Sequence, residues 1–269
     1  MTGFDLTAYL DRLGLNPVPV TARGLRDLQS AQLRALPFED IDPFLGRLPG
    51  LDMTAIFDKI VIRGRGGYCF ELNALLGAAL KALGFAPRLC LARVRKGAAE
   101  GGPRSHLALQ VQLPEGIFLA DAGYGGPGAL IPLRLDTDTE QVAPNGTYRL
   151  WHDERTGERV VDKHTKAGWF PLYGFDDAHV GAADIEAANY LCATWAGMPF
   201  RDNLMLAGFD GDTRIGVFNR AVTREGPEGT SKSEIADFDG LAQLITGDLG
   251  LRMDDATLRQ VWSRLGGET

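Results

Sequence analysis

Cysteine, histidine and net positive charge are all scarce in this chain, and each shortage removes a class of function. Three cysteines occur in 269 residues, none in a paired spacing, so a disulfide framework is excluded and a reducing, cytoplasmic compartment is expected. There are only four histidines, and no His, Cys and Asp grouping has metal-ligand spacing, so no metal is expected. The net charge of −7 is a poor match for nucleic-acid phosphates. No apolar run approaches the length of a membrane span, and no basic-then-apolar leader opens the chain, so neither a membrane partner nor a signal peptide is expected. Internal repeats and low-complexity segments are also absent. What these exclusions leave, at this length, is a soluble protein of more than one layer with a substantial buried core.

The most informative stretch is RGRGGYCFELN, Arg63 to Asn73. Gly64, Gly66 and Gly67 allow a sharp turn whose N–H groups approach a ligand closely. From Cys69 onward, Leu72, Leu75, Leu76, Ala79, Leu80 and Leu83 form the stripe of a buried helix, which Gly84 ends. Cys69 is thus placed in a first helical turn, where free N–H groups and the helix dipole favour a thiolate, with Arg63 and Arg65 adding positive charge. Cys90 and Cys192 sit in LCLARV and NYLCAT and read as ordinary buried residues.

A nucleophilic cysteine needs a base. In SHLALQVQL, His106 alternates with Leu107, Leu109, Val111 and Leu113, which predicts a strand with His106 on its polar face. After the turn Pro114-Glu115-Gly116, a second strand, IFLAD, ends at Asp121. This hairpin brings a histidine and an acid to the same open end. If Leu113 opposed Ile117, Asp121 would face away from His106. If Gln112 opposes Ile117, or Leu113 opposes Gly116, Asp121 lies opposite Ala108, diagonal to His106 and within reach of it. A Cys-His-Asp site requires the second register, in which the acid holds the imidazole in the tautomer that accepts the thiol proton.

Helical signals run from Phe4 to about Pro87: Leu6, Tyr9, Leu10 and Leu13 before Gly14; Leu25, Leu28 and Leu36 after a Thr21 cap; Ile56 and Ile60 after Asp52; then the Cys69 helix. Short extended runs follow from Arg88 through about Val161 and suit a small antiparallel barrel or sandwich. Beyond Asp184, expected to cap a helix through Leu191, strand signals such as Ile215 to Arg224 mix with helices near Leu241 to Ile245 and Leu258 to Leu265. Gly226 to Glu234, GPEGTSKSE, reads as a mobile surface loop. Trp151, His152, Trp169 and Tyr173 lack any spacing that chemistry demands and read as packing residues. His164 and His179 have no partners in the sequence.

These segments resemble the arylamine N-acetyltransferase family over nearly the whole chain. RGGYCFELN resembles its nucleophile motif, PRSHLALQV its histidine strand, FLADAGYGG its aspartate strand, PFEDID its Pro-Phe-Glu-Asn segment, and ANYLCATWAGMPFRDNLMLA the approach to its coenzyme A contacts. The resemblance implies an α+β multidomain fold around a cysteine-protease-like Cys-His-Asp core. A helical bundle (1–87) would carry Cys69, an antiparallel β-barrel or sandwich (88–183) would carry His106 and Asp121, and an α/β lid (184–269) would complete it. It implies that this triad takes acetyl from acetyl-CoA onto sulfur and passes it to an arylamine or hydrazine. It also implies a pocket formed by Phe38, Tyr124, Gly125 and Gly126, with Ser105, Phe200 and Met205 near the coenzyme A tail and a structural Glu39–Arg65 ion pair. Tyr124 stands where the family usually has phenylalanine, adding a hydroxyl to the amine pocket, and Lys96 stands where an aromatic is frequent. The alternative is an amide synthase, or another cysteine-dependent acyltransferase, acting on a longer or carrier-bound acyl thioester.

Overall fold

Side-chain caps start the amino-terminal helices where the apolar spacing directs. In this computed structural model, which describes residues 3–267, Asp5 caps α1 (Leu6–Leu13) and Thr21 caps α2 (Ala22–Ala35). A short α3 (Ile41–Phe44) follows, and α4 (Met53–Phe57), capped by Asp52, winds into a π-helical turn over Asp58–Ile62. The buried helix α5 is Cys69–Ala82, so Cys69 is its first residue. The Glu71 carboxylate reaches back to accept the Tyr68 N–H at 3.2 Å, a capping contact that fixes where the helix begins.

The central strands are β2 (Pro87–Val94), β3 (Arg104–Leu113), β4 (Gly116–Ala120), β5 (Leu133–Arg134), β6 (Gln141–Ala143), β7 (Gly146–Asp153), β8 (Glu158–Thr165) and β9 (Gly168–Phe175). They form one antiparallel eight-stranded sheet, in the order β5-β4-β3-β2-β9-β8-β7-β6, that curls into a nearly closed barrel. The extended region thus runs on to Phe175, past the limit at Val161 that punctuation indicated. The alternation in β3 is less clean than the sequence pattern suggested: His106, Ala108 and Gln110 are as buried as Leu107, Leu109 and Val111. The reason is that both faces are covered. The leucines join the core built with α5, while Ala108 packs in the barrel interior with Cys90, Leu119 and Tyr173.

Helix α6 (Ala182–Thr194) starts earlier than its carboxylate implied. Gly181 is the cap, and Asp184, three residues on, accepts the Gly181 N–H at 2.8 Å. Beyond it, β10 (Met205–Asp210), β11 (Thr213–Phe218), β12 (Ala221–Gly226) and β13 (Gly229–Glu234) form a meander. Its β10 edge pairs with a two-residue strand from near the start of the chain, β1 (Phe38–Glu39), through Phe38↔Ala207 and Glu39↔Leu206. Two stretches differ from their sequence reading. Ile215 to Arg224 is two strands that turn at Asn219, and the expected loop Gly226 to Glu234 is largely β13, whose six residues are all exposed. Polar side chains such as Lys232 and Glu234 suit such an edge, since charge discourages pairing with another chain. Helix α7 (Phe238–Ala242), its π-helical continuation over Gln243–Asp248 and α8 (Asp255–Arg264) cover the meander with a core of Leu206, Ile215, Leu244 and Trp262. Among the described residues, no helix is long and apolar enough to cross a membrane.

Candidate active site

The hairpin of β3 and β4 adopts the register that the site requires: Gln112 opposes Ile117, Leu113 opposes Gly116, and Leu109 opposes Ala120. Asp121 is therefore the next step along, opposite Ala108, on the side of His106. Its Oδ2 lies 2.7 Å from His106 Nε2. That leaves Nδ1 as the ring nitrogen available to Cys69, whose proximity adds to the rise in the imidazole pKa. The Cys69 thiol also points at the Ser105 carbonyl oxygen, at 3.6 Å.

Asp121 is saturated with donors. Tyr173 donates its hydroxyl to Oδ2 at 2.8 Å, while Asn73 Nδ2 at 2.9 Å and the Gly123 N–H at 3.0 Å donate to Oδ1. Burial alone would raise its pKa, but His106 and these donors outweigh it and hold the carboxyl below its ordinary value. Burial likewise favours neutral imidazole, yet the Asp121 charge and hydrogen bond, with a further contribution from Cys69, raise the His106 pKa well above its usual range. The pair is thus built to hold a proton on the imidazole beside the sulfur.

Neither Asn73 nor Tyr173 has a role in the site by its sequence reading. Asn73 carried a usable signal: it follows Cys69 by four residues, one turn along the same face of α5. Its Oδ1 also accepts the Ala122 N–H at 2.9 Å, so one side chain ties the nucleophile helix to the aspartate loop. That loop passes so near α5 that a Cβ on Gly123 would lie 2.9 Å from the Cys69 Cα. Tyr173, a packing residue by sequence, comes from β9 and has no local signal.

The glycines before Cys69 serve the chain rather than a ligand. A Cβ on Gly66 would lie 2.2 Å from the Pro37 carbonyl oxygen, and the Gly67 carbonyl accepts the Glu39 N–H at 2.9 Å. The arginines are likewise engaged elsewhere. Arg63 pairs with Asp58 at the surface, and Arg65 binds Glu39 through Nη2 at 2.7 Å, the ion pair that the resemblance implies. Lys59 joins this cluster, 2.8 Å from Asp42 and 2.9 Å from Glu71.

Cys69 and His106 open onto a cavity of about 260 Å³ whose wall includes Phe38, Tyr124, Gly126, Ser105, Phe200 and Met205, together with Val94, Pro103, Met198 and Pro199. Gly125 lies against the Phe38 ring and lines, with Tyr124 and Asp121, a smaller cavity that shares Phe38 with the main one. None of the described residues around the main cavity is an acid, whereas Arg95 and Lys96 are there. Arg95 is neutralised by Asp153 and Glu158 at 2.9 and 2.6 Å; Lys96 is exposed. Among the described residues no group of three or more His, Cys, Asp or Glu could hold a metal.

Tyr124 departs from its sequence reading. Its ring packs against His106 in a T-shaped arrangement, with centroids 5.3 Å apart, but its hydroxyl donates to the Leu172 carbonyl at 3.2 Å. Tyr124→Phe is therefore expected to leave the ranking of polar and apolar arylamines unchanged and to cost about 1 kcal/mol of stability for one lost hydrogen bond. Competition assays with paired acceptors, together with a denaturant titration, check this.

The comparisons with known proteins point to one family. An N-acetyltransferase family model matches residues 21–258. The arylamine N-acetyltransferase / N-hydroxyarylamine O-acetyltransferase of Salmonella typhimurium is 35% identical over 260 residues, covering 95% of this chain and 91% of that protein. The solved arylamine N-acetyltransferase of Mycobacterium marinum superposes with a TM-score of 0.90 at 32% identity, covering 97% of this chain and 98% of that one. The structure of that enzyme in complex with CoA superposes at 0.88, with 31% identity and the same coverage. Fold and similarity together define an α+β acyltransferase. More narrowly, the chain belongs to the arylamine N-acetyltransferase family.

Proposed function

We propose that the chain transfers acetyl from acetyl-CoA to arylamines or hydrazines through a thioester on Cys69. The observation that carries this reading is the buried pair in which Asp121 holds His106 Nε2 at 2.7 Å, on the wall of the same cavity as Cys69, the first residue of α5. His106 takes the Cys69 proton, and the sulfur attacks the thioester carbonyl. Coenzyme A leaves with a proton from the imidazolium, and a neutral amine then attacks the acyl-enzyme while His106 accepts its proton. Asp121 keeps the imidazole oriented throughout.

The cavity fits these substrates. Its apolar wall, with Phe38 and Tyr124, suits one aromatic ring, and its lack of acids beside exposed Lys96 suits a phosphorylated thioester. Ser105, Phe200 and Met205 would meet the coenzyme A arm. In the same reading, residues 1–87 supply the nucleophile, 88–183 the histidine and acid, and 184–269 a lid that lends Met198, Phe200 and Met205 to the wall.

Acetyl-CoA without amine should leave a mass gain of about 42 Da on Cys69, and double-reciprocal plots at several amine concentrations should be parallel, because one sulfur serves two substrates in turn. No acyl-enzyme, together with intersecting lines, would overturn the reading.

A further inference from the structure

Cys192, on the last turns of α6, is not an isolated buried thiol. Its sulfur lies 3.5 Å from the same Ser105 carbonyl oxygen that Cys69 Sγ approaches at 3.6 Å. Two sulfurs that share one acceptor atom cannot be further apart than the sum of those two distances. Both helices pack against β3, which carries Ser105, so the fold itself holds the two thiols together. The third cysteine, Cys90, lies in the barrel core instead. Cys69 and Cys192 are both free, but only Cys69 lines the open cavity. Burial first, and the neighbouring Cys69 second, push the Cys192 thiol upward, so an oxidant entering the cavity meets Cys69 as the reactive sulfur.

We propose that Cys192 is a resolving cysteine, a site of reversible oxidation that protects the nucleophile against peroxides. In the first step the Cys69 thiolate attacks one oxygen of hydrogen peroxide; the O–O bond breaks, hydroxide leaves, and Cys69 becomes a sulfenic acid. In the second, the Cys192 sulfur attacks the Cys69 sulfur; the S–O bond breaks and the hydroxyl leaves with the Cys192 proton as water. Peroxide is reduced by two electrons, and the two thiols supply them as a disulfide. The enzyme is then inactive but recoverable by a dithiol, whereas a sulfenic acid without a resolving partner proceeds to the irreversible sulfinic acid. Forming the bond requires the two sulfurs to leave the shared carbonyl and approach each other to disulfide distance.

The proposal rests on Cys69 being the reactive thiol of the proposed function, and the experiment separates the two. The full chain and its Cys192→Ala and Cys192→Ser variants, each checked for native circular dichroism, are treated with hydrogen peroxide and followed by intact mass, peptide mapping and activity. The natural sequence should lose about 2 Da, yield a linked Cys69–Cys192 peptide and regain activity with dithiothreitol; either variant should gain about 32 Da at Cys69 and stay inactive. Oxygen added to Cys69 with Cys192 left free, a bridge to Cys90 or between two chains, or equal recovery in the variants would overturn the proposal. Acetyl-CoA is applied to parallel samples. If Cys69 accepts the acetyl group but forms no disulfide, this proposal alone fails; if Cys69 takes up neither acetyl nor oxygen, the functional reading fails with it.

Discussion

Cys69→Ser is expected to abolish acetyl transfer while leaving the melting temperature within a few degrees of that of the natural sequence. The hydroxyl fits the volume of the thiol and can still point at the Ser105 carbonyl, so packing at the start of α5 changes little. As a nucleophile, however, it stays protonated near neutral pH even with a histidine partner that suffices for sulfur. Removing the nucleophile of a hydrolytic triad costs about 10⁶-fold in kcat. A loss of at least 10⁴-fold in kcat/KM, on the order set by such triads, with no mass gain from acetyl-CoA, is the expected outcome. Residual transfer within tenfold of the natural enzyme would mean that the acetyl group never rests on this residue.

Asp121→Asn is the second large effect, because it keeps the shape of the side chain and removes the charge. The amide can no longer hold the imidazolium, and burial then pulls the His106 pKa down. A triad that loses its acid in this way drops about 10⁴-fold in kcat. Here the expected loss is about 10²- to 10⁴-fold, since Cys69 still biases the imidazole. The same substitution has a pH signature in stability. The raised His106 pKa stabilises the fold below its ordinary value, and that contribution is lost as pH rises through the folded-state pKa. The lowered Asp121 pKa stabilises above the ordinary carboxylate value, and that contribution is lost as pH falls through its folded-state pKa. Denaturant midpoints across acid, neutral and alkaline pH should therefore show the natural sequence ahead of Asp121→Asn in the middle of the range, with the gap closing at both ends. A constant gap would mean that no ion pair forms.

Much of this site was legible in the chain because its signals are local. A cysteine at the head of a leucine stripe, a histidine in an alternating strand and an aspartate ending the next strand are features of short windows, and hairpin register is set by the few residues of a turn. Sequence therefore determined that Cys69 begins a helix, that His106 and Asp121 belong to one hairpin, and that Asp121 reaches His106 in only one of two registers. What it could not determine depends on contacts between distant segments. Tyr173 reaches Asp121 only because β9 lies beside β2 in the curled sheet, Phe38 enters the cavity wall from a strand held by β10, and the burial of His106 follows from layers on both faces of β3. The Tyr124 hydroxyl turned away because the Leu172 carbonyl offered it a partner. Cys192 joined Cys69 at one carbonyl because α5 and α6 both rest on β3. Local hydrogen bonding and periodicity choose the elements, whereas only their packing decides which side chains meet.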